Sequence, residues 1–146
     1  KEIKDKNREL DIMKCIAAFA NSNGGTLFIG VSDDKEIIGL DMDYKSLRKD
    51  KDGNKDIFEI DLREIIVNNF GEVFTASNLD ISFPIIDNRE ICMIEIKPIK
   101  KPEEILILKK KDNQGKVNEI LYVRSGNSSR IIPPNEYGLF YSERFN

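Results

Sequence analysis

The run Ala18-Phe19-Ala20-Asn21-Ser22-Asn23-Gly24-Gly25-Thr26-Leu27-Phe28-Ile29-Gly30-Val31-Ser32-Asp33-Asp34 constrains this chain more than any other part of it. Upstream of it, Leu10, Met13, Ile16-Ala17 and Ala20 recur at spacings of three and four, and Ile12 and Phe19 widen the stripe. That spacing predicts an amphipathic helix from about Asn7 to Ala20. Asn21 to Gly25 must end it, because Asn and Gly tolerate the left-handed backbone that helix C-termini favour. Thr26 to Val31 is then a nearly continuous apolar run, which predicts a central strand buried on both faces. Gly30 inside it implies a bulge or a close backbone approach. Asp33-Asp34-Lys35 reads as a turn, with Glu36 to Leu40 returning as a second strand.

The remaining pattern supplies the rest of one domain. Residues 41–55 are almost all polar and read as a surface loop. Asp56 to Phe70 reads as a second helix, with Phe58, Leu62, Ile65-Ile66 and Phe70 inward and Gly71 just past its end. Leu79-Ile81-Phe83-Ile85 then alternates with polar residues, Asp87-Asn88 makes a turn, and Ile91 to Ile96 is the partner strand. Ile105 to Leu108 and Ile120 to Val123 are two more strands, joined across a lysine-rich loop containing Gly115. Pro133-Pro134 stops this pattern, and Asn135 is placed to cap a short last helix holding Leu139 and Phe140. The 146 residues suit a single α+β domain: a mixed, mostly antiparallel sheet packed by two main helices plus a short C-terminal helix.

Composition removes whole classes of chemistry. There is no histidine, so Ser-His and Cys-His catalysis and ordinary zinc sites are excluded. Cys15 and Cys92 fall in helical and strand patterns and read as two free buried thiols in a reducing cytoplasm. No apolar run approaches the roughly 20 residues of a membrane helix. Gly24-Gly25 lies between helix and strand, the reverse of a phosphate loop, and no Gly-x-x-x-x-Gly-Lys-Ser/Thr occurs, so no nucleotide cofactor is expected. The chain opens without Met inside a charged segment, as expected of a piece of a larger protein with further domains.

Charge is unevenly spread. Residues 1–96 carry 13 Lys+Arg against 20 Asp+Glu, a net of −7, whereas residues 97–130 carry 9 against 4, a net of +5. The basic segment includes Lys97, Lys101, the run Lys109-Lys110-Lys111, Arg124 and Arg130. Arg124 and Arg130 bracket a turn whose amides and hydroxyls, Ser128 among them, suit phosphate oxygens. Arg124, Arg130, Ser128, Lys97 and Lys101 are therefore the candidate nucleic-acid contacts. The competing reading is that lysines on strands merely guard exposed edges. Tyr122 reads as a packing residue.

Several motifs together resemble one family, the Schlafen AlbA-like domains. They are Ala18-Phe19-Ala20-Asn21, the following Gly24-Gly25-Thr26-Leu27-Phe28-Ile29-Gly30-Val31 with Asp33, the strand and turn Leu121 to Arg130, the helix start at Pro133 to Glu136, and the opening Glu2-Ile3-Lys4. The resemblance spans nearly the whole chain. It implies an α+β module that in some members binds nucleic acid, RNA or DNA, and in some cuts RNA with a metal held by three carboxylates. Carried over, two of these fall on Glu2 and Asp33, and the third lies before Lys1. Hard cations such as Mg²⁺ or Mn²⁺ want such oxygens, and Lys4 would add a point charge for phosphate. Catalytic roles for Glu2, Asp33 and Lys4, and metal ligation by Glu2 and Asp33, are thus what the resemblance implies. A non-catalytic oligomerisation or protein-interaction module, self-associating through sheet edges, is the alternative.

Overall fold

The structure, a computed structural model, describes residues 6–32, 36, 37, 39 and 55–146. Among these, four helices and three antiparallel sheets form one α+β domain. Helix α1 (Lys6–Ala20) runs into strand β1 (Gly25–Ile29). Helices α2 (Lys55–Phe70) and α3 (Glu72–Asn78) follow, then strands β2 (Leu79–Ser82), β3 (Ile85–Ile86), β4 (Arg89–Glu90) and β5 (Cys92–Ile96). The chain ends with β6 (Leu108–Lys111), β7 (Val117–Ser125), β8 (Ser128–Ile132) and helix α4 (Tyr137–Phe145). The first sheet has the order β1-β5-β2, the second β6-β7-β8, and β3-β4 is a small hairpin. No helix among the described residues is long and apolar enough to cross a membrane.

The core is assembled as the helical spacings predict. Met13, Ile16, Ala17 and Ala20 of α1 and Phe58, Leu62 and Ile66 of α2 pack on Ile94 and Ile96 of the first sheet and Leu108 and Tyr122 of the second. Helix α1 therefore stands between the two sheets and touches both. Asp87 and Asn88 both have positive φ, 54° and 62°, as a two-residue hairpin turn requires.

Among the described residues β1 pairs in a ladder only with β5, and it is not buried on both faces, because Thr26 and Phe28 are exposed. Its apolar run is continuous because Leu27 and Ile29 face the core while Phe28, 46% exposed, lies on the outer face across from Met93. In the return after it, Val31 bridges Ile37 and the Gly39 N–H donates to the Gly30 carbonyl, while Asp33-Asp34-Lys35, Ile38 and Leu40 of the predicted turn and second strand lie outside the described residues. The sequence pattern missed α3. Gly71, at φ +92°, closes α2 onto Val67 and also accepts the backbone N–H and the hydroxyl of Thr75, so one residue ends a helix and starts the next. Asn135 makes no capping bond. A 3-10 turn at Pro134–Glu136 leads into α4 instead.

One side chain explains where the second sheet begins. Asn21 is fully buried, and its amide donates to the carbonyls of Leu106 and Tyr122, each at 2.9 Å, while Oδ1 accepts the Leu106 N–H at 2.8 Å. Both backbone groups of Leu106 are spent on Asn21, so the predicted strand at 105–108 cannot join the ladder until Leu108. The lysine run, read as a loop, becomes β6 by pairing with β7, and the actual turn is shorter, held by the Asp112 carboxylate on the Gln114 and Lys116 N–H groups. Arg144 of α4 donates to the Asn21 and Ile99 carbonyls, and the Ile99 N–H donates to the Ala20 carbonyl.

Asn21→Ala leaves three buried backbone groups without partners, at about 1–3 kcal/mol each. We expect a loss of about 3–5 kcal/mol in urea denaturation. A loss below about 1 kcal/mol would show that Asn21 is not what joins α1 to the second sheet.

Candidate nucleic-acid interface

The second sheet is where the positive charge collects. Residues 105–132 contain Lys109, Lys110, Lys111, Lys116, Arg124 and Arg130 against only Asp112 and Glu119, a net of +4 in a chain of −3. Strand alternation and register decide which of these can act together. Arg124 stands opposite Ser129, and Val123 opposite Arg130. Directly opposed residues share a face, so Arg124 and Arg130 lie on opposite faces of the hairpin. Ser128 shares the Arg130 face, and its hydroxyl donates to the Ser125 carbonyl across the tight turn that Gly126 opens at φ +64°.

The Arg124 face is the one turned to α1. Its guanidinium carbon sits 4.7 Å from the centre of the Phe19 ring, and its backbone N–H donates to the Ser22 hydroxyl at 2.8 Å. Lys14 places its ammonium 5.9 Å from the centre of the Tyr122 ring. A cation–π contact of this kind holds a guanidinium in place for about 0.5–1 kcal/mol while leaving its edge free to donate. Arg124 thus braces the Phe19 turn as well as presenting charge. Lys14 joins it on this face, a residue that the sequence reading passed over because it flanks an apolar stripe. Tyr122 is buried, in keeping with packing.

Arg130 is exposed on the other face, where Lys109 and Lys111 also belong by register. Lys109 is opposite Glu119, which offsets part of its charge. Lys97 and Lys101 are exposed but sit elsewhere. Lys97 follows β5 on the outer face of the first sheet, in alternation with Glu95, whose register partner is Asp80. Lys101 precedes the 3-10 turn that carries Glu103 and Glu104. Carboxylates adjoin both lysines.

Glu2, Lys4 and Asp33 lie outside the described residues. Among the described residues no group of three or more His, Cys, Asp and Glu is placed to hold a metal ion. The glycines of the first motif serve the turn. Gly24 has φ +77°, and a Cβ there would lie 2.6 Å from the Ile96 carbonyl oxygen, while one at Gly25 would overlap the Phe19 ring.

The thiols are structural in character. Cys15 is half-buried, not buried, and burial raises it, opposed by Arg124 and Lys14. Burial pushes the Cys92 thiol up to about 12, with Glu59 adding to the rise and Arg63 opposing it. Below pH 9 both folded and unfolded chains keep the Cys92 proton, so its contribution is intact there. Between 9 and about 12 only the unfolded chain releases it, and stability falls. The expected result is a decline over that range that is shallower in Cys92→Ala, read by denaturation at each pH. Equal slopes would refute the burial of this thiol.

The family described as Schlafen, AlbA_2 matches residues 1–133. Among solved structures, the DIP2311 protein of Corynebacterium diphtheriae is similar, with a TM-score of 0.57 at 18% identity over 98% of this chain. The chain spans 23% of that protein's length, and the likeness is one of fold.

Proposed function

This chain belongs to the Schlafen AlbA_2 family, and on that premise we propose that it binds nucleic acid through the phosphate backbone, using its second sheet. The observation that carries the reading is the concentration of six cations against two carboxylates on that one sheet and its turns. A sheet of this charge attracts a polyanion without reading bases, since phosphate contacts position a strand but carry no sequence information. Arg130 and Ser128 contribute from one face and Arg124 from the other, so the strand passes along the hairpin end and not across a single flat face. Lys97 and Lys101 extend the contacts outward in this proposal.

Cleavage belongs to the same proposal as a second step. Glu2 and Asp33, with an acidic residue upstream, would hold Mg²⁺ or Mn²⁺, which polarises a phosphate and activates water when bound. Lys4 would hold the phosphate as a point charge. Exposed Phe28 and the exposed hairpin Ile85-Ile86 are the features that favour a protein-interaction module instead.

Binding of labelled single strands and duplexes across a salt series tests the reading. The affinity should fall linearly on a log–log plot, and Arg130→Ala should shallow the slope by about 0.7–0.9 without loss of stability. Mn²⁺-dependent cutting that disappears in Asp33→Ala would establish the second step. Absence of binding at about 0.1 M salt would overturn the proposal and leave the protein-interaction reading.

A further inference from the structure

A groove of about 540 Å³ opens between α1, α2 and β6, away from the Arg124 turn. One wall is β6: by register Lys110 belongs to the groove face, while Lys109 and Lys111, which belong to the opposite face, line its rim, and all three are exposed. The floor is aliphatic: Leu10 and Ile65 are half-buried, with Met13 buried beneath them. The far rim holds Asn69, whose amide donates to the Ile65 carbonyl at 2.9 Å, and Glu9 is the one carboxylate among the described residues that line the groove.

The two surfaces differ in what they accept. Lysines attract phosphate, whereas an aliphatic floor offers phosphate nothing and favours a flat, weakly hydrated group. The register places Lys110 on the same face as buried Leu108, the face that packs on the helices. Phosphate charge and an apolar ring must therefore be presented side by side, which is the layout of a nucleotide within a strand. A duplex keeps its bases stacked inside and would reach only the lysines. The volume is within the usual range for a small-molecule-sized group.

We propose that this groove holds single-stranded nucleic acid, with phosphates along the β6 edge, on Lys110 in the groove and on Lys109 and Lys111 at its rim, and an unstacked base over Leu10 and Ile65. The proposal rests on the nucleic-acid reading above and adds a strand preference and a second set of contacts to it.

The test measures binding to a single-stranded oligonucleotide, to the matched duplex and to an equally long sugar-phosphate strand without bases. Wild type should prefer the single strand several-fold over both. The triple variant Lys109→Ala, Lys110→Ala, Lys111→Ala should lose about 2 from the log–log salt slope on the single strand, at roughly 0.7 per phosphate contact. Lysine acetylation of the wild type gives an answer even where the triple variant fails to fold: the bound single strand should protect Lys109 to Lys111. Wild-type binding with no protection there, or with equal affinity for single strand and duplex, would overturn the groove and leave the broader reading standing. No binding to any of the three would defeat both.

Discussion

The buried amide of Asn21 is the interaction on which the rest of the structure depends. It lies one residue past α1 and ties that helix end to two strands far away in sequence, through Leu106 and Tyr122. A buried amide is costly unless it is fully bonded, and here every polar atom of the side chain is engaged. Arg144 then binds the Asn21 carbonyl from the last helix, so the start, middle and end of the described chain meet at one turn. Among the described residues no buried side-chain nitrogen or oxygen lacks a partner. The consequence is a rigid junction from which β1 and the Phe19 ring project, and against which Arg124 is stacked.

This changes the meaning of the motif that first suggested nucleic acid. Ala18, Ala20 and Asn21 are fully buried, and Gly24 and Gly25 are needed for close approach, so these five residues of the motif are scaffold. Its link to function is indirect. It holds the second sheet at a fixed angle to α1, and that sheet carries the cations. The first sheet, by contrast, shows Glu95 and Asp80 side by side on its outer face.

Parts of this arrangement were legible in advance. The three-and-four spacing of Leu10, Met13, Ile16 and Ala20, and of Phe58, Leu62 and Ile66, marked both main helices to within a residue of their ends. The turn at Asp87-Asn88 and the β2-β5 pairing followed from local residue preferences and period-two alternation. The candidate site was less legible. Arg124 and Arg130 look equivalent in the chain, yet pairing of Val123 with Arg130 sends them to opposite faces. The lysine run looked like a loop because exposed strand residues carry no apolar alternation to reveal them.

The sequence by itself determined the α+β class, the two amphipathic helices, the glycine-dependent turn and the segregation of charge, because each depends on neighbours within a few positions. Only the tertiary structure decided that one face of β1 is exposed, that Leu106 is withheld from the sheet, and that Lys109 to Lys111 border a groove with Leu10 and Ile65. Those outcomes depend on which distant groups satisfy each backbone N–H and carbonyl, and on strand register. Local spacing carries no information about either.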